Sequence, residues 1–134
     1  MITAYRRKIQ MRSERGQSLV EFALALPILV LLLFAVIQFG IAFNNYVTLT
    51  DATRAGARKA AVGRQLSNPQ STTITAVRNS ATDLRQSDLN VTVSSTWLPG
   101  ADVNVTATYP YTINLLGIPV KTGRLSSTTT ERVE

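Results

Sequence analysis

The apolar positions of this chain follow three different patterns. From Phe22 to Phe43, "FALALPILVLLLFAVIQFGIAF", no residue is ionisable and 15 of the 22 are Leu, Ile, Phe or Val. At roughly −0.3 to −0.6 kcal/mol each, these favour entry into a bilayer by about 5 to 9 kcal/mol, more than Gln38 and Pro27 oppose. As a helix the run is about 33 Å long, against a hydrocarbon core of about 30 Å. It predicts a membrane span. The second pattern follows directly, because "NNYVTLTDATRAGARKAAV" holds no proline and only Gly56 inside it, so the helix is expected to continue. Ala52, Gly56 and Ala60 recur every four residues and form a seam of small side chains, which allows close packing. Either the protein's own sheet or a neighbouring subunit would fit there. Arg54, Arg58 and Lys59 flank the seam and read as a solvated or headgroup-facing edge.

Gly63 is a plausible helix stop, and "GRQLSNPQST" reads as a linker. Asn68 as cap and Pro69 at the first helical position open a second helix, with Ile74, Val77, Ala81 and Leu84 as its apolar stripe. The third pattern is strict alternation. "LNVTVSS" and "DVNVTATY" place Leu89, Val91 and Val93, then Val103, Val105 and Tyr109, on one side each, with the turn pair Pro99-Gly100 between them. They predict a β-hairpin. "RLSSTTTERV" is polar on both faces and predicts a third strand near an edge, with "INLLGIPV" as an apolar loop before it. The fold class is therefore α+β: a long N-terminal transmembrane helix continuing into a small C-terminal domain with a second helix and about three antiparallel strands. The expected divisions are a basic leader at 1–16, the transmembrane helix at 17–43, its extension at 44–63 and the small domain at 64–134. Residues 44–134 alone bury only a small core, so the helix is expected to supply part of it.

Charge sharpens this picture. The net charge is +6, but residues 1–16 carry five basic side chains and one acid, while the remaining chain carries nine and seven. A short basic arm beside an apolar run fits an anionic membrane surface, and no nucleic-acid partner is expected. The chain has no cysteine and no histidine. Disulfides, Cys/His metal sites and the commonest general base are thereby excluded. The acids beyond Glu21 form no close pair in sequence, and no nucleophile motif or phosphate-cradling loop occurs. No catalytic residue, cofactor or metal is predicted, and the chain is read as a non-enzyme.

Three uses of the span compete. A cleavable signal peptide has a basic start and a small-x-small site, which Gly40-Ile41-Ala42 offers, although its apolar core is usually about 7–15 residues long. An uncleaved single-pass anchor is the second use. The third turns on "RGQSLVEF", where Glu21 stands on the threshold of the run, five residues after Gly16. Ser18 to Glu21 also fits a capping box, with Ser18 as helix cap and Glu21 reaching back to the cap amide.

A basic arm, a glycine, four residues, a glutamate and an apolar run resemble the processing site of type IV prepilins. "RGQSLVEFALALPILVLLLFAVIQFGIAF", "DATRAGARKAAVGR" and "VNVTATYPYTINLLGIPVKTGRLSSTTTERVE" together resemble the TadE-like pseudopilins of tight-adherence (Flp-type) pilus systems, from Arg15 onward. The resemblance implies a pilin-like fold and cleavage by a prepilin peptidase between Gly16 and Gln17. It also implies an assembly contact of Glu21 with a neighbour's freed α-amino group, and other pilins or pseudopilins as partners. The implied location is the cytoplasmic (inner) membrane, with the arm inside, the small domain outside, and incorporation into an extracellular pilus open. Gln38 stands where many members carry an acid, so no second membrane charge carries over. The competing function is an uncleaved, membrane-anchored extracytoplasmic binding module, with Trp97, Tyr109, Tyr111 and "INLLGIPV" as its contact surface.

Overall fold

The computed structural model describes the backbone of residues 2–134 and the side chains of residues 16–134. Its element order is α1 (Ile2–Ala61), α2 (Pro69–Ser80), β1 (Asn90–Ser94), β2 (Asp102–Leu115) and β3 (Ile118–Arg132). The chain divides into two compact units, residues 1–37 and 38–134, with α1 contributing to both. The class is α+β, with a long apolar helix, a second helix and a three-stranded antiparallel sheet in a pilin-like layout.

In the first unit α1 passes through Pro27 without interruption. Apolar side chains from Leu19 to Ile37 are exposed around the helix. No part of the most apolar stretch is buried within the protein.

In the second unit α1 changes character. Leu49, Ala52, Thr53, Gly56, Ala57 and Ala60 are buried while Asp51, Arg54, Arg58 and Lys59 are exposed. Spacings of three and four place the buried set on one helical stripe. Against it lie Val77 and Ala81 of the α2 region, Val93 of β1, and Val103, Val105 and Ala107 of β2. These three β2 residues alternate with Asp102, Asn104 and Thr106 on the open face, as strand geometry requires. On that open face Thr106 pairs with Thr128 at 2.9 Å, and Thr130 donates to Asn104 at 2.6 Å. The sheet thus covers one helical layer and turns a hydroxyl and amide surface outward.

α2 starts as the sequence indicates. The Asn68 side chain accepts from the Ser71 amide at 3.1 Å, with Pro69 at the first helical position. Ala81 is its cap, so Leu84 of the expected stripe lies beyond the helix although it too is buried.

The strand order is β1-β2-β3. β2 and β3 are longer than the alternation predicts, because "INLLGIPV" is not a loop. Tyr109 faces Leu125, Tyr111 faces Gly123, Ile113 faces Lys121 and Leu115 faces Ile118, with a bulge after Ile113. Leu116 and Gly117 alone make the turn, at φ 51° and 85°. Positive φ at both central residues is the backbone of a type I′ hairpin, where Asn-Gly is the usual pair. A leucine held left-handed costs about 1–2 kcal/mol, which is why this hairpin could not be read from its turn residues. Opposite Tyr111, a Cβ on Gly123 would lie 2.8 Å from Tyr111 Cε1. The ring occupies the place of the missing side chain.

The sheet's direction along α1 follows from its contacts. The Glu134 amide donates to the Ala61 carbonyl at 2.9 Å, fixing the end of β3 at the C-terminus of the helix. Midway, the Thr53 hydroxyl meets Ser127 Oγ at 3.2 Å and Thr129 Oγ1 at 3.1 Å. Tyr111, Ile113 and Leu125 share a groove with Phe39, Phe43 and Tyr46. The β2–β3 turn therefore points away from Ala61.

Candidate functional site

The sequence places its candidate chemistry at Gly16 to Glu21, and these residues are solvent-facing on α1. A Cβ added at Gly16 would meet no atom within 4 Å. A glycine inside a helix is unfavourable by roughly 0.5–1 kcal/mol relative to alanine, and no packing among the described residues asks for this one. Gln17 Nε2 donates to Glu21 Oε1 at 3.1 Å, an exposed i, i+4 pair that holds the carboxylate beside residue 17.

α1 runs through Ser18 in the uncut chain, so no helix starts there. A helix interior has no unpaired first-turn amides for a cap to accept from. The capping box would need a helix newly begun near Gln17.

The seam residues Ala52, Gly56 and Ala60 are all buried within the second unit. A Cβ on Gly56 would overlap Val77 Cγ2 and touch Val105 Cγ1 at 3.5 Å and the Thr73 carbonyl at 3.6 Å. The seam thus faces α2 and the protein's own sheet. Arg54, Arg58 and Lys59 are exposed, with Arg54 3.6 Å from Asp51.

The aromatic set proposed as a binding surface is not brought together. Trp97 follows β1 near Ser95, whose hydroxyl accepts from its amide at 3.1 Å, and packs against the core. Tyr109 is half-buried, its hydroxyl accepting from the Arg85 amide at 3.3 Å. Tyr111 lies further down β2, in an open groove of about 510 Å³ lined by Phe39, Phe43, Tyr46, Ile113, Lys121 and Arg124, among others. Sequence reasoning missed this groove because the pairing of β2 with β3 beyond Tyr109 was not legible.

An apolar run exposed on all sides, a glycine without a packing role and a glutamate at the border all fall within one matched segment. Residues 16–58 match the family of TadE-like proteins. Over Gly16 to Arg58 the chain is similar to that family, and the helix that holds this segment is long and apolar enough to cross a membrane. No curated protein and no solved structure gives a significant match. The likeness read in the tail from Val103 onward lies outside the matched segment. Alternating Val and Thr is what any half-buried strand shows, so it carries less family information than the helix.

Proposed function

We propose that this chain is a minor pilin or pseudopilin subunit of a Tad (Flp-type) pilus or secretion machinery. It is anchored by α1 in the cytoplasmic membrane, acts by structural or priming assembly and not by catalysis, and carries its sheet domain outside. A prepilin peptidase cuts between Gly16 and Gln17, and the freed amino group of one subunit meets Glu21 of the next. The carrying observation is that the TadE-like match begins at Gly16, a residue that no internal packing requires. The physics of the pairing supports the reading. An unpaired carboxylate in lipid costs about 2.5–3.5 kcal/mol at the centre of a span and less at its border, and a charge partner relieves that cost.

Intact-mass measurement of the protein from its native host tests the cut. The expected mass is that of a chain beginning at Gln17, and Gly16→Leu is expected to keep residues 1–16. A chain that still begins at Met1 in the wild type, or a Gly16 variant processed normally, overturns the assignment. A mature chain beginning at Met1 would favour the uncleaved anchor.

A further inference from the structure

The β2–β3 hairpin ends in an apolar tip left exposed among the described residues. Leu116, Ile118 and Val120 are 60%, 68% and 61% exposed. Three observations indicate what covers them. The groove above the tip has Phe39, Ala42 and Phe43 as part of its lining, so it is continuous with the apolar run of α1. Tyr111 lies beside those residues, and the five residues from Tyr111 to Leu116 carry the strand about 16 Å further from the Ala61 end. The tip therefore reaches past the helix residues where the apolar run ends.

The second observation is the apex itself. Leu116 is held at φ 51°, in a turn whose backbone favours asparagine. A strained apolar residue left mostly exposed at an apex points to an external apolar contact. The third is charge. Lys121 and Arg124 also line the groove and have no ion-pair partner among the described residues. Lys121 lies about 10 Å along the strand from Ile118, comparable to the depth of roughly 5–10 Å over which interfacial segments bury their apolar face. Tyr46 and Tyr111 occupy the same end, as aromatic residues do at membrane interfaces.

We propose that the β2–β3 hairpin is a second, shallow membrane contact. Leu116, Ile118 and Val120 enter the headgroup–acyl boundary of the bilayer crossed by α1, and Lys121 and Arg124 meet lipid phosphates. This rests on the reading of α1 as a membrane anchor. The contact limits how far the sheet domain can tilt away from the membrane surface.

Because the chain has no cysteine, single-cysteine variants report position directly. The full chain is reconstituted in vesicles of phosphatidylglycerol and phosphatidylcholine whose acyl chains carry a nitroxide quencher. A fluorophore is placed at Ile118→Cys, at Phe34→Cys in the span, and at Thr92→Cys on β1. Strong quenching is expected at Phe34→Cys and Ile118→Cys, with none at Thr92→Cys. Leu116→Asn, which suits the left-handed turn, is expected to reduce quenching at Ile118→Cys without lowering the melting temperature. Omitting phosphatidylglycerol is expected to weaken the contact equilibrium by roughly five-fold per basic residue engaged, and so to reduce the quenching as well.

Quenching at Phe34→Cys alone overturns the hairpin contact and leaves the anchor standing. Quenching at neither overturns both. An unquenched Ile118→Cys that crosslinks to the same residue of another copy overturns the lipid contact in favour of a subunit interface. Unchanged quenching after Leu116→Asn also overturns it.

Discussion

The two halves of α1 have similar helical backbones and opposite relations to their surroundings. From Phe22 to Ile37 the helix is apolar on every side and buries nothing within the described protein. From Leu49 to Ala60 it is charged on one side and wholly buried on the other. A helix that is apolar all round needs an apolar solvent, whereas one with a single stripe needs a partner surface. The same secondary structure therefore has two sources of stability. In the first half the environment supplies it, and in the second half the sheet and α2 supply it through small, closely fitting side chains.

The strongest way to break this comparison is one substitution made in both halves. Leu49 is fully buried in the core, so Leu49→Ala is expected to cost about 2–5 kcal/mol and visibly lower the unfolding temperature of the sheet domain. Leu32 is exposed on the first half, and Leu32→Ala removes no internal contact. It should leave that transition where it was. Equal shifts for the two variants would show that the halves are not separately stabilised.

Glycines sharpen the same contrast at smaller effect. Gly56→Ala forces a methyl onto Val77 Cγ2, and an overpacked core typically loses about 1–3 kcal/mol. Gly40→Ala meets no atom within 4 Å, and alanine is the better helix former by about 0.8–1.0 kcal/mol. Thermal unfolding of the purified protein should fall for the first variant and hold or rise for the second. A stable Gly56→Ala protein would mean that Val77 can turn aside, and that the seam is looser than its geometry implies.

What was legible in the sequence divides along the same line. The apolar run, the Asn68-Pro69 helix start and the alternation through Val103 and Val105 are repeated local signals, and the structure carries each of them. The extent of β2 and β3 was not legible, because it depends on pairing across a Leu-Gly turn that breaks the residue preference for its own backbone. The groove at Tyr111 was hidden for the same reason, since it exists only once Tyr111 and Leu125 are brought beside Phe43. Gly16 and Glu21 were legible as a spacing. Ser18 was legible only as a motif, because a capping motif describes the residues around a helix start and not whether the helix starts there.

The smallest expected effect tests whether Glu21 belongs to the helix or to the assembly. In the uncut chain its carboxylate accepts from the Gln17 side chain, and glutamine at position 21 can accept the same bond through its amide oxygen. Glu21→Gln should therefore leave the helix, membrane insertion and removal of residues 1–16 unchanged. If the carboxylate pairs with a neighbour's amino terminus, the substitution removes the attraction and keeps the shape. Breaking one side of a fully buried pair costs about 3–5 kcal/mol, and at a membrane border water offsets most of it, leaving about 1 kcal/mol per contact. That is roughly a five-fold loss in each subunit contact, and it compounds along a polymer. Crosslinking of tagged to untagged subunits at matched membrane levels measures it, with the expected yield lower for Glu21→Gln than for wild type. Equal yields would confine Glu21 to its bond with Gln17 and leave the assembly contact without its charge.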